Sequence, residues 1–449
     1  DEYYGLVVFL LATSNLLQPL MSLGAQHTII KFYSSFNDKK SKDNFLSSII
    51  FIPLIIILPV SFLVVQMHDT IGSFLSMQNP IIESYVWVIF LVSFATSYFE
   101  VFYAWSRVQL KSVFGNVLKE IYPRISVFIL LVLVSLDIIE KENFVWLLTG
   151  LYFLRLLIMI IYSLSLYKPK FSFILPENFK EIVSYSIYIL LAGSAASLLI
   201  DIDKYMIPQK EAISQTAYYA VAVFIATVVE IPGRAMFQIL NPMVAKAINT
   251  NDNKNLNELY QKSSTNLLII CGFFFLLINL NIVSFYELMN NQFYADAIWV
   301  VLIISIAKLI QMSLGCGPAI LATSSFYKIT LPFSISMAIS VYFLIDYLID
   351  LYGINGAAIS TLIVLLLFTV LKVLYINFKL KIQPYNLNTI KIIVLISVLY
   401  FTLNSLKLNL CPLFNIIVKS VLISASYISL VYFLKLSKTI NSNLNSLIK

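Results

Sequence analysis

Charge is scarce in this chain. Of 449 residues, 12% are Asp, Glu, Lys or Arg, while 59% are hydrophobic. A soluble domain carries about 25% charge, so there are too few ionic side chains here to build a water-facing surface. Histidine occurs twice, at His27 and His68, and cysteine three times, at Cys271, Cys316 and Cys411. These are isolated from one another, which excludes a disulfide framework and the usual metal-ligand spacings. The chain also lacks a Walker loop and the HExxH, GxSxG and CxxC motifs, the common signatures of nucleotide hydrolysis, zinc proteolysis, serine hydrolysis and dithiol chemistry. No signal-peptide pattern is present.

What the chain has instead is a succession of long apolar runs. A membrane-spanning helix needs ~20 mostly apolar residues, because its backbone polar groups must be satisfied within the segment. Thirteen such stretches are expected, at 3–30, 45–66, 81–106, 122–137, 144–166, 182–203, 214–236, 264–285, 297–320, 329–349, 354–376, 389–405 and 412–434. The fold class implied is an all-α polytopic membrane protein. The connections are short, the longest being 237–263, where a short surface helix is expected around Leu256 to Tyr260. The connection 107–121 is amphipathic, with Val108, Leu110, Phe114, Val117 and Leu118 among cations, and is expected to lie in the membrane interface.

The net charge of +7 is accounted for by topology. If 31–44 is cytoplasmic and sides alternate, all but seven of the thirty basic residues fall inside. Lys141, Lys204, Lys210 and Lys407 lie outside, and Arg155, Lys308 and Lys419 lie within spans. That asymmetry is the positive-inside bias; it places the C-terminus in the cytoplasm and gives no reason to expect nucleic-acid binding.

An internal repeat is visible at an offset of 215 residues. Tyr3, Tyr4, Val8, Phe9, Met21, Lys31, Lys39 and Ser48 fall on Tyr218, Tyr219, Val223, Phe224, Met236, Lys246, Lys254 and Ser263. Repeated helices six spans apart run the same way across the membrane, so the expected architecture is a parallel pseudo-two-fold repeat of six-helix lobes with two further helices. The corresponding boundaries are 1–170 for the first lobe, 175–378 for the second, 388–436 for the extra pair and 437–449 for a cytoplasmic tail. Transporters built this way hold their site between the halves.

Charges inside the spans are the candidate functional residues. Arg155 and Lys308 each sit near the middle of a span, where a cation facing lipid costs about 2.5–3.5 kcal/mol on insertion scales. Relief comes from a hydrated path for an anion or from buried carboxylates. With Arg234 and Lys204 they form the expected cationic set. Glu100, Glu230, Asp201 and Asp203 are the expected ion-coupling or gating set. Glu230 and Arg234 (i, i+4) and Glu100 and Arg107 (i, i+7) share helix faces, so static ion pairs are an equally simple reading. Asp201-Ile202-Asp203 resembles the metal-binding acidic pair of lipid-dependent glycosyltransferases, but it ends a helix beside Lys204 instead of lying on a sizeable loop. Lys419 is close enough to the outer end to snorkel. Pro19, Pro53, Pro59, Pro232-Gly233 and Pro242 interrupt helices and open carbonyls that a neighbour or a wet cavity must satisfy.

Four local patterns, in this order and spacing, resemble the polysaccharide-transport branch of the multidrug/oligosaccharidyl-lipid/polysaccharide (MOP) exporter superfamily. They are Glu2-Tyr3-Tyr4-Gly5 leading to Gly24 and Lys31; Asp203-Lys204-Tyr205-Met206-Ile207; Tyr218-Tyr219-Ala220-Val221-Ala222 leading to Ile231-Pro232 and Asn241-Pro242; and Tyr352-Gly353-Ile354-Asn355-Gly356-Ala357-Ala358. The resemblance implies fourteen helices with both termini cytoplasmic. Its first helix would be absent from this chain, which opens on Asp1 where that helix ends. Asp203 and Lys204 match the acidic-basic pair that ends the family's seventh helix.

The resemblance further implies a flippase carrying undecaprenyl-pyrophosphate-linked oligosaccharide, such as an O-antigen, capsule, exopolysaccharide or lipopolysaccharide repeat unit, from the inner to the outer leaflet of a bacterial inner membrane. Alternating access would be driven by an H+ or Na+ gradient, with no bound cofactor. Expected partners are the bilayer, the polyprenyl-linked glycan, a polysaccharide polymerase and a chain-length regulator, with the chain itself a monomer. An ion-coupled multidrug exporter of the same superfamily is the alternative; it predicts an acidic lumen without central cations. A membrane glycan polymerase or glycosyltransferase would need a large outer loop, which the short connections do not provide, so an enzyme is not expected.

Overall fold

The computed structural model describes residues 1–36, 38–170, 179–289, 292–406 and 411–448; Lys407 and Lys449 lie outside the described residues. Those residues form helices and connecting turns, with no strand among them. The chain divides into two compact units, Asp1–Ala217 and Tyr218–Lys449.

The first unit contains α1 (Glu2–Ser22), α2 (Ala25–Phe32), α3 (Lys39–Phe51), α4 (Leu54–Gln66), α5 (His68–Ser76), α6 (Val86–Val108), α7 (Val113–Glu120), α8 (Tyr122–Ser135), α9 (Lys141–Leu166), α10 (Phe179–Lys210) and the start of α11 (Ile213–Thr227). Its axis is α6, which packs on α1, α2 and α9. Apolar side chains fill two clusters along it, one around Leu6, Phe9, Val86, Ile89 and Leu148, the other around Ile29, Phe45, Phe99, Trp105 and Met159. Lipid is as apolar as these side chains, so helix association also depends on polar contacts and close backbone approach. Serine supplies the contacts. Ser93 Oγ donates to Ser14 O (2.8 Å), Ser14 Oγ to Ile89 O (3.0 Å), Ser97 Oγ to Gln18 O (3.1 Å) and Ser163 Oγ to Phe102 O (2.8 Å).

Only some of the proline and glycine signals act as breaks: Pro19 and Pro59 lie inside α1 and α4, and Pro242 inside the helix Ile231–Asn249, none of which ends there. Leu23 and Gly24 (φ 47° and 67°) turn the chain between α1 and α2 just after Pro19. Ile52 and Pro53 separate α3 from α4. The amphipathic connection forms α7 after a turn at Leu110, whose side chain, like that of Val113, is exposed. The helix α10, expected in the second lobe, packs on α1 and α2 in the first unit; the hydroxyls of Thr28 and Ser186 meet at 2.8 Å. The contacts thus divide the chain at Ala217, downstream of 170–175.

The second unit runs from the rest of α11 through a 3-10 turn at Val228–Glu230 into α12 (Ile231–Asn249), α13 (Asn253–Leu288), α14 (Ile298–Ser313), α15 (Gly317–Thr323), α16 (Thr330–Leu380), α17 (Leu387–Asn404), α18 (Pro412–Phe433) and α19 (Lys438–Ile448). Here α13 is the axis, packing on α12, α14, α17 and α18. The surface helix expected near Leu256 is instead continuous with the span that follows it. The starts of α3 and α13, which the 215-residue offset brings within one residue of each other, are capped alike. Asp38 accepts from Ser41 N (2.8 Å) and Asp252 from Asn255 N (3.0 Å). That backbone donor is the main reason the Asp38 carboxyl titrates below the ordinary carboxylate range.

Among the described residues nine helical stretches are long and apolar enough to cross a membrane, or ten if the pair Ile298–Ser313 and Gly317–Thr323, bent by 54°, forms one crossing. One of the nine, Tyr327–Leu380, is 54 residues long, which at 1.5 Å per residue is ~80 Å, well over twice the ~30 Å hydrocarbon layer. It contains the spans expected at 329–349 and 354–376 and is broken at Gly353 (φ 55°, ψ −137°). Just beyond the break Gly356 lies so close to the Leu348 carbonyl that a β-carbon would collide with it. A count of thirteen crossings further requires α10 and the 14-residue α8 to cross. Exposed Ile55, Phe62, Phe128, Phe343, Phe401 and Phe433 give the bundle the apolar exterior that a lipid surround requires. This is a multi-pass membrane protein.

Candidate functional site

The eight predicted charged residues gather into four local arrangements, each inside one unit. In the first unit Glu100, on α6, pairs with Lys119 from α7 (Oε1–Nζ 2.7 Å). Arg107, the partner anticipated from i, i+7 spacing, instead has its guanidinium carbon 5.6 Å from the centre of the Tyr103 ring. Glu100, Arg107, Lys119, His27, Gln18 and Ser197 line a cavity of ≈ 320 Å³ among α1, α2, α6 and α10. Lys119 and His27 were missed as site residues. The signal for Lys119 was its place on an amphipathic helix, which says that it flanks a membrane surface but not which carboxylate it meets.

Arg155 does not line that cavity. It is 4% exposed, with its guanidinium carbon 4.3 Å from the centre of the Phe99 ring and 4.7 Å from that of Tyr152. Nη2 makes a long hydrogen bond to Thr96 Oγ1 (3.4 Å), and Nε has no partner. Among the described residues no carboxylate lies within 4 Å of it. Two ring faces therefore hold this cation. Desolvated cation–π contacts are worth about 2 kcal/mol each, which offsets part of the burial cost.

At the far end of α10, Asp201 and Lys204 are joined at 2.6 Å (Oδ1–Nζ). Asn15 Nδ2 donates to the other oxygen of Asp201 (3.2 Å), tying α10 to α1. Asp203 accepts the Lys204 backbone N–H at 2.8 Å. Asp201 and Asp203, two positions and ~200° apart around the helix, thus engage different atoms of Lys204, its ammonium and its backbone N–H. Both oxygens of Asp201 are engaged within the helix pair. Among the described residues no group of three or more His, Cys, Asp or Glu side chains could hold a metal ion.

In the second unit Glu230 is a hub. Its Oε1 meets Arg234 Nη2 (2.5 Å) and its Oε2 meets Lys308 Nζ from α14 (2.9 Å). The i, i+4 pair was legible in the sequence; the bridge to Lys308 was not. The three side chains are exposed to different degrees, Glu230 12%, Lys308 21% and Arg234 63%. Glu230 closes the 3-10 turn before Pro232, which has no N–H to continue the helix ladder. Where α12 meets α14, Gly233 admits Met312, whose sulfur would collide with any β-carbon there.

Sequence comparison places the chain in a family. The profile of the polysaccharide biosynthesis protein family matches residues 1–248. The chain belongs to that family. No curated protein matches the sequence. Among solved structures, an inward-facing multidrug resistance MATE transporter of the MOP superfamily aligns at TM-score 0.66 and 13% identity, over 85% of this chain and 90% of its own. The lipid II flippase MurJ, in an inward closed conformation, aligns at TM-score 0.64 and 15% identity, over 97% of this chain and 98% of its own. A MATE protein in its straight conformation aligns at 0.55 and 14% identity, over 85% and 88%. At these identities the likeness is one of fold. This chain is thus a polysaccharide biosynthesis family member with the fold of MOP exporters.

Proposed function

We propose that the chain is a flippase for a polyprenyl-pyrophosphate-linked oligosaccharide, moving it from the inner to the outer leaflet of a bacterial cytoplasmic membrane. The observation that carries this reading is a pair of cations withdrawn from water within the helix bundle, Arg155 at 4% and Lys308 at 21% exposed. Arg155 is held by rings with no carboxylate within 4 Å among the described residues, and a single carboxylate serves both Lys308 and Arg234. Buried cations with incomplete compensation favour an anionic cargo. A diphosphate cannot cross ~30 Å of hydrocarbon unaided, while the polyprenyl chain can remain in lipid and the sugar in a hydrated path. Family membership supports a role in polysaccharide assembly, and the MurJ-like fold supports a lipid-linked cargo.

Alternating access of two lobes, driven by an H+ or Na+ gradient, is the mechanism we propose, with carboxylates such as Glu100 biasing the open states. Transport, not bond-making, is the activity. The test is reconstitution of the purified chain into liposomes holding a fluorescent lipid-linked oligosaccharide in both leaflets. Protein-dependent access of the inner-leaflet pool to an external reagent, abolished by Arg155→Ala or Lys308→Ala, is expected. No acceleration over empty vesicles would end the proposal. The MATE-like fold favours a drug exporter as a second reading; that reading predicts efflux of cationic dyes from the same vesicles.

A further inference from the structure

Glu230 occupies a position where its helix contact does not need a charge. At the 215-residue offset Glu230, Arg234 and Lys308 correspond to Asn15, Pro19 and Ser93. In the first unit that contact, α1 against α6, is made by neutral groups, with Ser93 Oγ donating to Ser14 O at 2.8 Å. In the second unit the turn at Val228–Glu230 meets α14, and a carboxylate and two cations stand where hydroxyls suffice. Withdrawing Glu230 and Lys308 from water to do the work of two hydroxyls carries a desolvation cost before pairing is counted, while Arg234 stays 63% exposed.

The geometry has a second feature. Each oxygen of the Glu230 carboxylate faces a different cation, Oε1 toward Arg234 and Oε2 toward Lys308. Two oxygens on one central atom, bridging a guanidinium and an ammonium, is also how a phosphate group would engage the same pair. The graded exposure, from Arg234 at 63% inward to Lys308 at 21%, gives an incoming anion a first contact and then a second. The carboxylate sits on a 3-10 turn between α11 and α12, where Pro232 interrupts the ladder, so the turn can shift without breaking a continuous helix.

We propose that Glu230 is a built-in stand-in for phosphate: its carboxylate holds Lys308 and Arg234 together between cargoes and is displaced when a phosphate of the cargo takes its place. This rests on the proposed transport of a diphosphate-linked lipid. It assigns Glu230 a role in cargo release, because a returning carboxylate competes the phosphate off, and it makes affinity in the resting protein deliberately weak.

The experiment uses the full chain in nanodiscs with inorganic pyrophosphate as probe, measured by calorimetry. If Glu230 fills the site nine-tenths of the time, removing its charge tightens apparent binding about tenfold. Glu230→Gln is therefore expected to bind pyrophosphate about tenfold more tightly than wild type, and Glu230→Gln with Arg234→Ala is expected to lose that gain. In the liposome assay Glu230→Gln is expected to slow turnover despite its tighter binding. Equal affinities in wild type and Glu230→Gln overturn the stand-in role while leaving the flippase reading intact. Absence of binding to both overturns the two together. Should Glu230→Gln not fold, Glu230→Asp draws the carboxylate back by one methylene and keeps the charge. A gain in affinity supports the proposal there, and an unchanged affinity defeats it.

Discussion

Lys119 Nζ lies 2.7 Å from Glu100 Oε1, so the short amphipathic helix α7 is tied by one ion pair to α6, the axis of the first unit. The pair is half in solvent, with Lys119 40% and Glu100 17% exposed, and such pairs contribute at most about 1 kcal/mol. Lys119→Ala is accordingly expected to leave the melting temperature nearly unchanged while lowering cargo transport several-fold. Lys119→Glu is expected to be worse, because it places two carboxylates together, and Glu100→Lys with Lys119→Glu is expected to recover most of the transport. Full transport by Lys119→Glu at normal protein levels would falsify any role for the pair.

Arg155 separates a structural cation from a functional one. It is buried, ring-stacked and without a carboxylate within 4 Å among the described residues, so it carries a desolvation cost that no ion pair offsets. Replacing buried ionic groups with apolar ones of similar volume is often neutral or stabilising by about 1–4 kcal/mol. Arg155→Met is expected to melt at or above the wild-type temperature and to lose transport. A variant that melts lower and still transports would show that the guanidinium serves packing alone.

Much of this fold was legible from hydropathy, because the bilayer imposes a length and a composition on every crossing helix. The break at Pro53 was legible too, since proline acts through backbone chemistry that is independent of its neighbours, whereas Pro59 sits inside α4 without ending it. The i, i+4 pair Glu230–Arg234 was readable because helix geometry alone brings its members together. Partners on different helices were not. Nothing in the spacing joins Lys119 to Glu100 or Lys308 to Glu230, since spacing defines a face but not the helix that covers it. The aromatic cage of Arg155 was hidden for the same reason, although Tyr152 lies three residues away on its own helix. The assignment of α10 turned on α1 and α2, whose polar contacts with it, such as Thr28 with Ser186, are invisible to hydropathy.

Gly353 is held at φ 55°, ψ −137°, a region that side-chain-bearing residues occupy at a cost of order 1–3 kcal/mol. Gly353→Ala is expected to lower stability by that amount, read as thermal unfolding of the purified protein. Gly150 is the control. It lies within α9 with nothing within 4 Å of where a β-carbon would sit, so Gly150→Ala is expected to be neutral or to gain up to about 1 kcal/mol from helix propensity. Equal losses at both positions would mean that the bend at Gly353 is not strained by a β-carbon.

The hub arrangement at Glu230 predicts an order of stability losses. Removing the carboxylate with Glu230→Ala strands Lys308, 21% exposed, and Arg234 beside each other without a counter-charge. Breaking a buried ion pair in this way costs about 3–5 kcal/mol. Lys308→Ala leaves Glu230 with Arg234 as partner, so it removes one charge-assisted hydrogen bond, worth about 1.5–3 kcal/mol. Arg234→Ala removes the most exposed member, whose loss is screened and stays near or below about 1 kcal/mol. Thermal unfolding of the three purified variants, with equal detergent and lipid content, is expected to rank them Glu230, Lys308, Arg234 from most to least destabilised. If Arg234→Ala proves the most damaging, the exposed guanidinium, and not the carboxylate, organises the cluster, and Lys308 must then be held by something other than Glu230.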